Sequence, residues 1–261
     1  MRAFVISTGS SYDSDMGKSP EGTLRLVHER PIGVQEASAI AVIAEGTFLV
    51  VDDEAGVFRC MPDSDPVQLD VGTALSDLEG ICVNGDRTFA FVLGERDGSV
   101  WRFGLAGGRL GEGERLGKLP KLAKKKNQGW EGIAFAEAGT FSDHDELVGV
   151  HQAGPRRVGL FDARTLRPRL TLRLPKRARK RLGDLNDVAI EPTTSHLFVL
   201  SGREGRIGEL RLDDDSLELV QIYPVDTARD DVPEGLTFDS DGRLWLVTDG
   251  EGMLRELKLH A

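Results

Sequence analysis

The sequence has 261 residues, of which 39% are hydrophobic, and a formal net charge of −10 at pH 7. A chain of this length can bury one large core, and no stretch approaches the roughly 18 apolar residues of a membrane helix, so we expect no membrane partner. The acidic excess argues against nucleic acid as a partner, because phosphate contacts need Lys and Arg side chains.

The N-terminal residues carry too short an apolar run for a signal peptide. We therefore expect a cytoplasmic protein, or a periplasmic one only if a signal segment has been removed. The first predicted element is a strand at residues 24–31, and it has no partner of its own.

Five segments then share one pattern, in which two polar or small residues precede alternating large apolar and small residues. This period of two predicts a β-strand at each of them. A second and a third strand follow each one after short polar turns, and a looser fourth strand follows the first four. The first strands are predicted at residues 36–42, 77–83, 129–135, 184–190 and 232–238, and the fourth strands at residues 66–71, 109–116, 169–174 and 217–225.

These repeats predict an all-β chain, a single β-propeller domain over residues 1–261 with five four-stranded blades. The last repeat has no fourth strand before the chain ends, so we expect the strand at residues 24–31 to close that blade. A sixth, degenerate blade built on residues 2–7 is the alternative. The sequence shows no helical periodicity of any length.

The third residue of the repeat is polar in every copy. Because first strands line the channel of a propeller, these side chains should converge at one level, and converging carboxylates repel each other unless a cation neutralises them. Oxygen donors without a Cys or His cluster suit Ca²⁺ or Mg²⁺. In the alternative interpretation, they accept hydrogen bonds from backbone N–H groups of the next blade and clamp the blades without metal. The predicted metal-binding set is Ser38, Glu79, Glu131, Asn186 and Glu234.

The turns that leave the second strands should lie on the same face as this polar ring. His151 and Glu95 are the candidates there for a general acid or base, although a surface turn histidine is the simpler interpretation of His151. Two basic segments, residues 118–126 and 173–181, lead into first strands and so belong to that face, either as an anion-binding rim or as solvated loops. The candidate ligand-binding residues are Arg96, Gln152, Arg203, Lys124, Lys125 and Arg179, and other acidic residues expected on this face are Glu36, Asp52, Asp53, Asp77, Asp184 and Asp249.

The order of the repeat motifs resembles the SdiA-regulated domain family of bacterial propellers and, more distantly, phytase-like and gluconolactonase-like propellers. The resemblance implies calcium binding in at least some members, without settling an activity. The chain departs from the family pattern at Ser38-Ala39 and Asn186-Asp187, where Ser-Gly is usual. The motifs that carry the resemblance are DLEGI at 77–81, NQGWEGIA at 127–134, DLNDV at 184–188, LFVLS at 197–201 and PEGLTFD at 233–239.

Two classes of function fit these features. The first is a monomeric binding propeller that holds a divalent cation and could also bind an anionic small molecule or a protein partner at the channel mouth. The alternative is a Ca²⁺-dependent hydrolase of phosphate esters or lactones, in which the cation polarises the substrate and activates water. The lack of a complete nucleophile–base arrangement in the sequence favours the first class.

Overall fold

The computed structural model describes residues 21–72, 75, 77–94, 96–122, 129–226 and 231–260. These residues form five four-stranded antiparallel sheets, one per blade. The strand that closes the ring is β1, Thr23–Pro31. Blade 1 contains β2 Ala37–Ala44, β3 Thr47–Asp52, β4 Gly56–Cys60 and β5 Val67–Gln68; blade 2 contains β6 Leu78–Val83, β7 Phe89–Gly94, β8 Ser99–Ala106 and β9 Arg109–Lys118; blade 3 contains β10 Trp130–Ala136, β11 Glu146–His151, β12 Arg157–Asp162 and β13 Pro168–Arg173; blade 4 contains β14 Val188–Ile190, β15 Leu197–Ser201, β16 Arg206–Asp213 and β17 Ser216–Pro224; blade 5 contains β18 Pro233–Phe238, β19 Leu244–Thr248 and β20 Met253–His260.

The inner strands of successive blades contact each other around a central channel. Strand β2 contacts β6 and β18, β10 contacts β6 and β14, and β14 contacts β18, which closes the ring of five. The predicted five-bladed propeller is therefore confirmed. Residues 2–7, on which the six-bladed alternative was based, lie outside the described residues.

Strand β1 closes the ring as the sequence predicts. It pairs antiparallel with β20, from Thr23 opposite His260 to Pro31 opposite Met253, and supplies the outer strand of blade 5. One residue of β1 also joins an ion-pair network, because Arg255 Nε lies 3.2 Å from Glu29 Oε2 while its Nη2 lies 2.7 Å from Asp231 Oδ2. The two ends of the described chain are thus held in one sheet.

The hydrophobic core lies between the blades. Each of its five clusters joins two adjacent sheets; one packs Val148 and Leu160 of blade 3 against Leu197 and Val199 of blade 4. Both faces of a sheet are covered by its neighbours, which explains why β11 is buried at every position.

The structure differs from the sequence prediction in the segment between blades 3 and 4, where a short helix, α1, spans Lys176–Arg181. The prediction of no helix was wrong here, because six residues are less than two turns and cannot show a 3.6-residue period. Burial of Ala178 and of Leu182 at the helix C-terminus holds the helix on the core. No helix in the described ranges is long and apolar enough to cross a membrane.

Candidate binding site at the channel mouth

The channel mouth is the end of the propeller at which the inner strands begin. In four of the five blades the third residue of the repeat is the extra residue of a β-bulge, a feature that the sequence analysis missed. A bulge leaves one residue unpaired and re-aims its side chain, so the repeat places a polar group at the mouth by the same device each time. The register shifts lie at Ala37/Ala39, Leu78/Gly80, Trp130/Gly132 and Pro233/Gly235, and the extra residues are Ser38, Glu79, Glu131 and Glu234.

The fourth residue of the repeat is glycine in three blades because the next inner strand packs directly against it. A Cβ atom on Gly80 would lie 3.1 Å from the carbonyl oxygen of Glu131. On Gly132 it would lie 2.3 Å from Asp187 Oδ1, closer than real Cβ contacts allow. The glycines therefore permit the close approach of neighbouring inner strands.

At the junction of blades 4 and 5, side chains clamp the two inner strands. Asp187, which takes the glycine position in blade 4, accepts a hydrogen bond from Leu236 N–H at 2.9 Å and is 1% exposed. Asn186 Nδ2 donates to Glu234 Oε2 at 2.5 Å, while Asn186 Oδ1 accepts the Gly202 N–H at 2.8 Å. Asn186 therefore links its own blade to blade 5 through its amide nitrogen, while its oxygen binds the turn after β15.

Glu234 lies in an electronegative part of the mouth. Its pKa rises to about 7, chiefly because the carboxyl group is buried, and the charges of Asp249 and Asp184 add to the rise, while the hydrogen bond from Asn186 opposes it. The mouth near blades 4 and 5 thus favours positive charge.

The closest group of carboxylates at the mouth lies in blade 1, which neighbours blade 5. Oxygen atoms of Glu36, Asp52 and Asp53 lie within 4.8 Å of one another, and Glu79, Glu131 and Glu234 form no such group among the described residues. The pKa of Glu36 is raised, first by the charge of Asp53 and then by that of Glu54. Asp53 Oδ1 is buried and accepts no hydrogen bond from a described residue. Three carboxylates at this spacing offer the oxygen ligands that hard divalent cations take.

His151 lies at the end of β11 and is only 1% exposed. Its ring contacts the Trp130 ring edge to face, with centroids 5.3 Å apart, and burial lowers its pKa. The interpretation of His151 as a surface turn histidine was therefore wrong, because the imidazole is part of the packing beneath the mouth. The other acid–base candidate, Glu95, lies outside the described residues.

The candidate ligand-binding residues are spread around the rim. Arg96 pairs with Asp77, Nε to Oδ2 at 2.7 Å, and its side chain is 80% exposed. Arg203 is exposed in the turn after β15, Arg179 is exposed on α1, and Gln152 is partly buried after β11. Lys124 and Lys125 lie outside the described residues.

The other end of the channel has a different character. It opens into a cavity of about 390 Å³ that is lined by apolar residues such as Val42 and Phe135 and also by Arg87, Glu137 and Asp239.

Comparison with models of known protein families gives a match to the SdiA-regulated model over residues 67–251. The chain belongs to the SdiA-regulated family. The matched region contains Glu79, Glu131, Asn186 and Glu234, whereas Glu36, Asp52 and Asp53 precede it. A search of curated protein sequences gives no match.

Several solved structures share the fold of this SdiA-regulated protein. A glutaminyl cyclase from Myxococcus xanthus is 11% identical with a TM-score of 0.66, over 92% of this chain and 98% of that one. A PQQ-bound aldose sugar dehydrogenase from Streptomyces coelicolor is 14% identical with a TM-score of 0.55, over 94% and 100% of the two chains. A streptogramin B lyase is 10% identical with a TM-score of 0.54, over 89% and 98%. At these identities the likeness shows the fold alone.

Proposed function

We propose that this SdiA-regulated propeller is a binding protein that holds a divalent cation, Ca²⁺ or Mg²⁺, at its channel mouth and there binds an anionic small molecule or a protein partner. One observation carries the proposal: the carboxylate oxygens of Glu36, Asp52 and Asp53 lie within 4.8 Å of one another. Three carboxylates this close repel, and a cation would remove that repulsion.

The residues divide this task between them. Glu36 and Asp53 would hold the cation with Asp52, whose Oδ1 already accepts backbone N–H groups of Glu54 and Ala55 at 3.1 and 2.7 Å and so fixes the carboxylate in place. A bound cation supplies positive charge to which oxygen atoms of an anionic ligand can bind. The exposed Arg96 guanidinium on the rim offers such a ligand a second contact.

The alternative function is hydrolysis of phosphate esters or lactones. The position of His151, the acid–base candidate among the described residues, favours binding instead. A general base must reach the water or substrate whose proton it takes. His151 is buried against Trp130 and cannot do so in this conformation.

The test is calorimetric titration of Ca²⁺ and Mg²⁺ into metal-stripped protein. We expect saturable binding that Asp53→Asn weakens by about tenfold or more, because the ligand charge count sets the affinity of such sites. Glu45→Gln is the matched control, since Glu45 is exposed at the opposite end of blade 1. The proposal would be contradicted if the wild type showed no saturable binding of Ca²⁺ or Mg²⁺, or if Asp53→Asn bound the cation as tightly as the wild type. A loss confined to Glu131→Gln would move the site to the polar ring.

A panel of phosphomonoester, phosphodiester and lactone substrates separates the two classes of function. For a binding protein we expect no turnover with or without Ca²⁺. Turnover that EDTA and Glu79→Gln both abolish would establish the hydrolase instead.

A further inference from the structure

A row of paired residues crosses blade 3 at the mouth, from the inner to the outer strand. Trp130 is opposite His151, His151 is opposite Arg157, and Arg157 is opposite Arg173. Directly opposite residues on antiparallel strands project from the same face of the sheet, so the side chains of Arg157 and Arg173 are neighbours. Two like charges in this arrangement destabilise the sheet unless something offsets them.

Helix α1 carries a third guanidinium group whose charge acts on Arg157. Arg179 is exposed on the helix, next to Ala178, which is wholly buried in the core between blades 3 and 4. The helix C-terminus is fixed as well, because Arg156 Nη1 donates to the carbonyl oxygens of Leu182 and Gly183, the latter at 2.9 Å. The third cation is therefore held on an anchored element rather than on a free loop.

No carboxylate among the described residues pairs with Arg157, Arg173 or Arg179. The charges of Arg173 and Arg179 contribute, after burial, to lowering the pKa of Arg157. Arg169 of the same blade shows the usual arrangement, a two-point contact with Glu146 at 2.7 and 2.8 Å. The cluster is thus a concentration of positive charge that the described protein does not neutralise.

We infer that Arg157, Arg173 and Arg179 form a binding site for a phosphate group, such as that of a phosphorylated small molecule. The planar guanidinium fork matches two oxygen atoms of a phosphate, and several forks suit a group that carries close to two negative charges. The site uses other residues than the proposed cation site and needs no cation. It adds an anion site on the rim between blades 3 and 4, separate from the one proposed at the cation in blade 1.

The test is calorimetric titration of inorganic phosphate at low ionic strength, with EDTA present so that no divalent cation contributes. We expect saturable binding that Arg157→Gln and Arg173→Gln each weaken by about tenfold or more, as the loss of a charge-assisted contact requires. Arg164→Gln is the matched control, because Arg164 is exposed on the same blade at the opposite end of the sheet. Its affinity should equal that of the wild type.

Thermal melting shows whether loss of binding is loss of fold. In phosphate-free buffer, Arg173→Gln should melt at or above the wild-type temperature, since it removes repulsion. Phosphate should raise the melting temperature of wild type and Arg164→Gln but not that of Arg173→Gln. The inference would be overturned if the wild type did not bind phosphate. It would also be overturned if Arg157→Gln and Arg173→Gln bound phosphate as tightly as the wild type does. Either result leaves the Ca²⁺ titrations unaffected, so the two proposals can fail separately.

Discussion

Single buried carboxyl groups at the mouth make the protein sensitive to pH. The pKa of Glu234 in the folded chain is raised from 4.5 to about 7. The folded chain therefore holds a proton that the unfolded chain releases between these values, and the free energy of unfolding falls as the pH rises through this window. The rise corresponds to up to about 3 kcal/mol.

Glu234→Gln should remove this dependence. Denaturation in EDTA at several pH values between about 5 and 8 should show wild type losing roughly 2 to 3 kcal/mol more than the variant as the pH rises. If the two curves of unfolding free energy against pH ran parallel, Glu234 would have an ordinary pKa. This part of the mouth would then not be electronegative.

For single residues, the sequence predicted which side chains lie on the face of the mouth better than it predicted which of them contact each other. The repeat placed Glu36, Asp52 and Asp53 on one face, but only side-chain geometry shows that their oxygens meet. The clamp by Asp187 was missed, although the signal was present: an acidic residue stands where three other repeats have glycine. That position faces the next inner strand, so a side chain there must bind the neighbouring backbone or clash with it.

Among the elements, the inner strands are the most tightly constrained because each touches the next. Gly132→Ala should destabilise the protein by roughly 2 to 4 kcal/mol, because its Cβ would lie 2.3 Å from Asp187 Oδ1 and 2.4 Å from Asp187 Cα. Gly104→Ala in β8 is the matched control. Its Cβ would meet nothing within 4 Å, so stability should be unchanged or rise by up to about 1 kcal/mol. Equal effects in chemical denaturation would show that the inner strands do not pack as closely as described.

Period two with apolar residues located all five inner strands, but it could not fix where they begin. The strand predicted from residue 184 starts at Val188, because Asn186 N–H and Asp187 C=O bond to Leu200 while their side chains clamp blade 5. The outer strand predicted at residues 66–71 shrinks to Val67–Gln68. An outer strand has one paired edge, so pattern alone constrains it weakly.

For the molecule as a whole, closure of the ring depends on the contacts of the last blade. Arg255→Ala would leave Asp231, 1% exposed, as a buried carboxylate without its ion pair, at a cost of about 3 to 5 kcal/mol. Arg211→Ala is the control on the corresponding strand of blade 4, where the pair with Glu218 is exposed and contributes about 1 kcal/mol or less. Chemical denaturation measures both; similar losses would show that the Arg255 network does not hold the ring.

The proposed function depends on a divalent cation at the acidic mouth, and crystals grown with Mn²⁺, which accepts the same oxygen donors and scatters anomalously, test it most directly. The anomalous map should show a peak bound by oxygen atoms of Glu36, Asp52 and Asp53. A map without a peak at the mouth, from crystals saturated with the ion, would contradict the account.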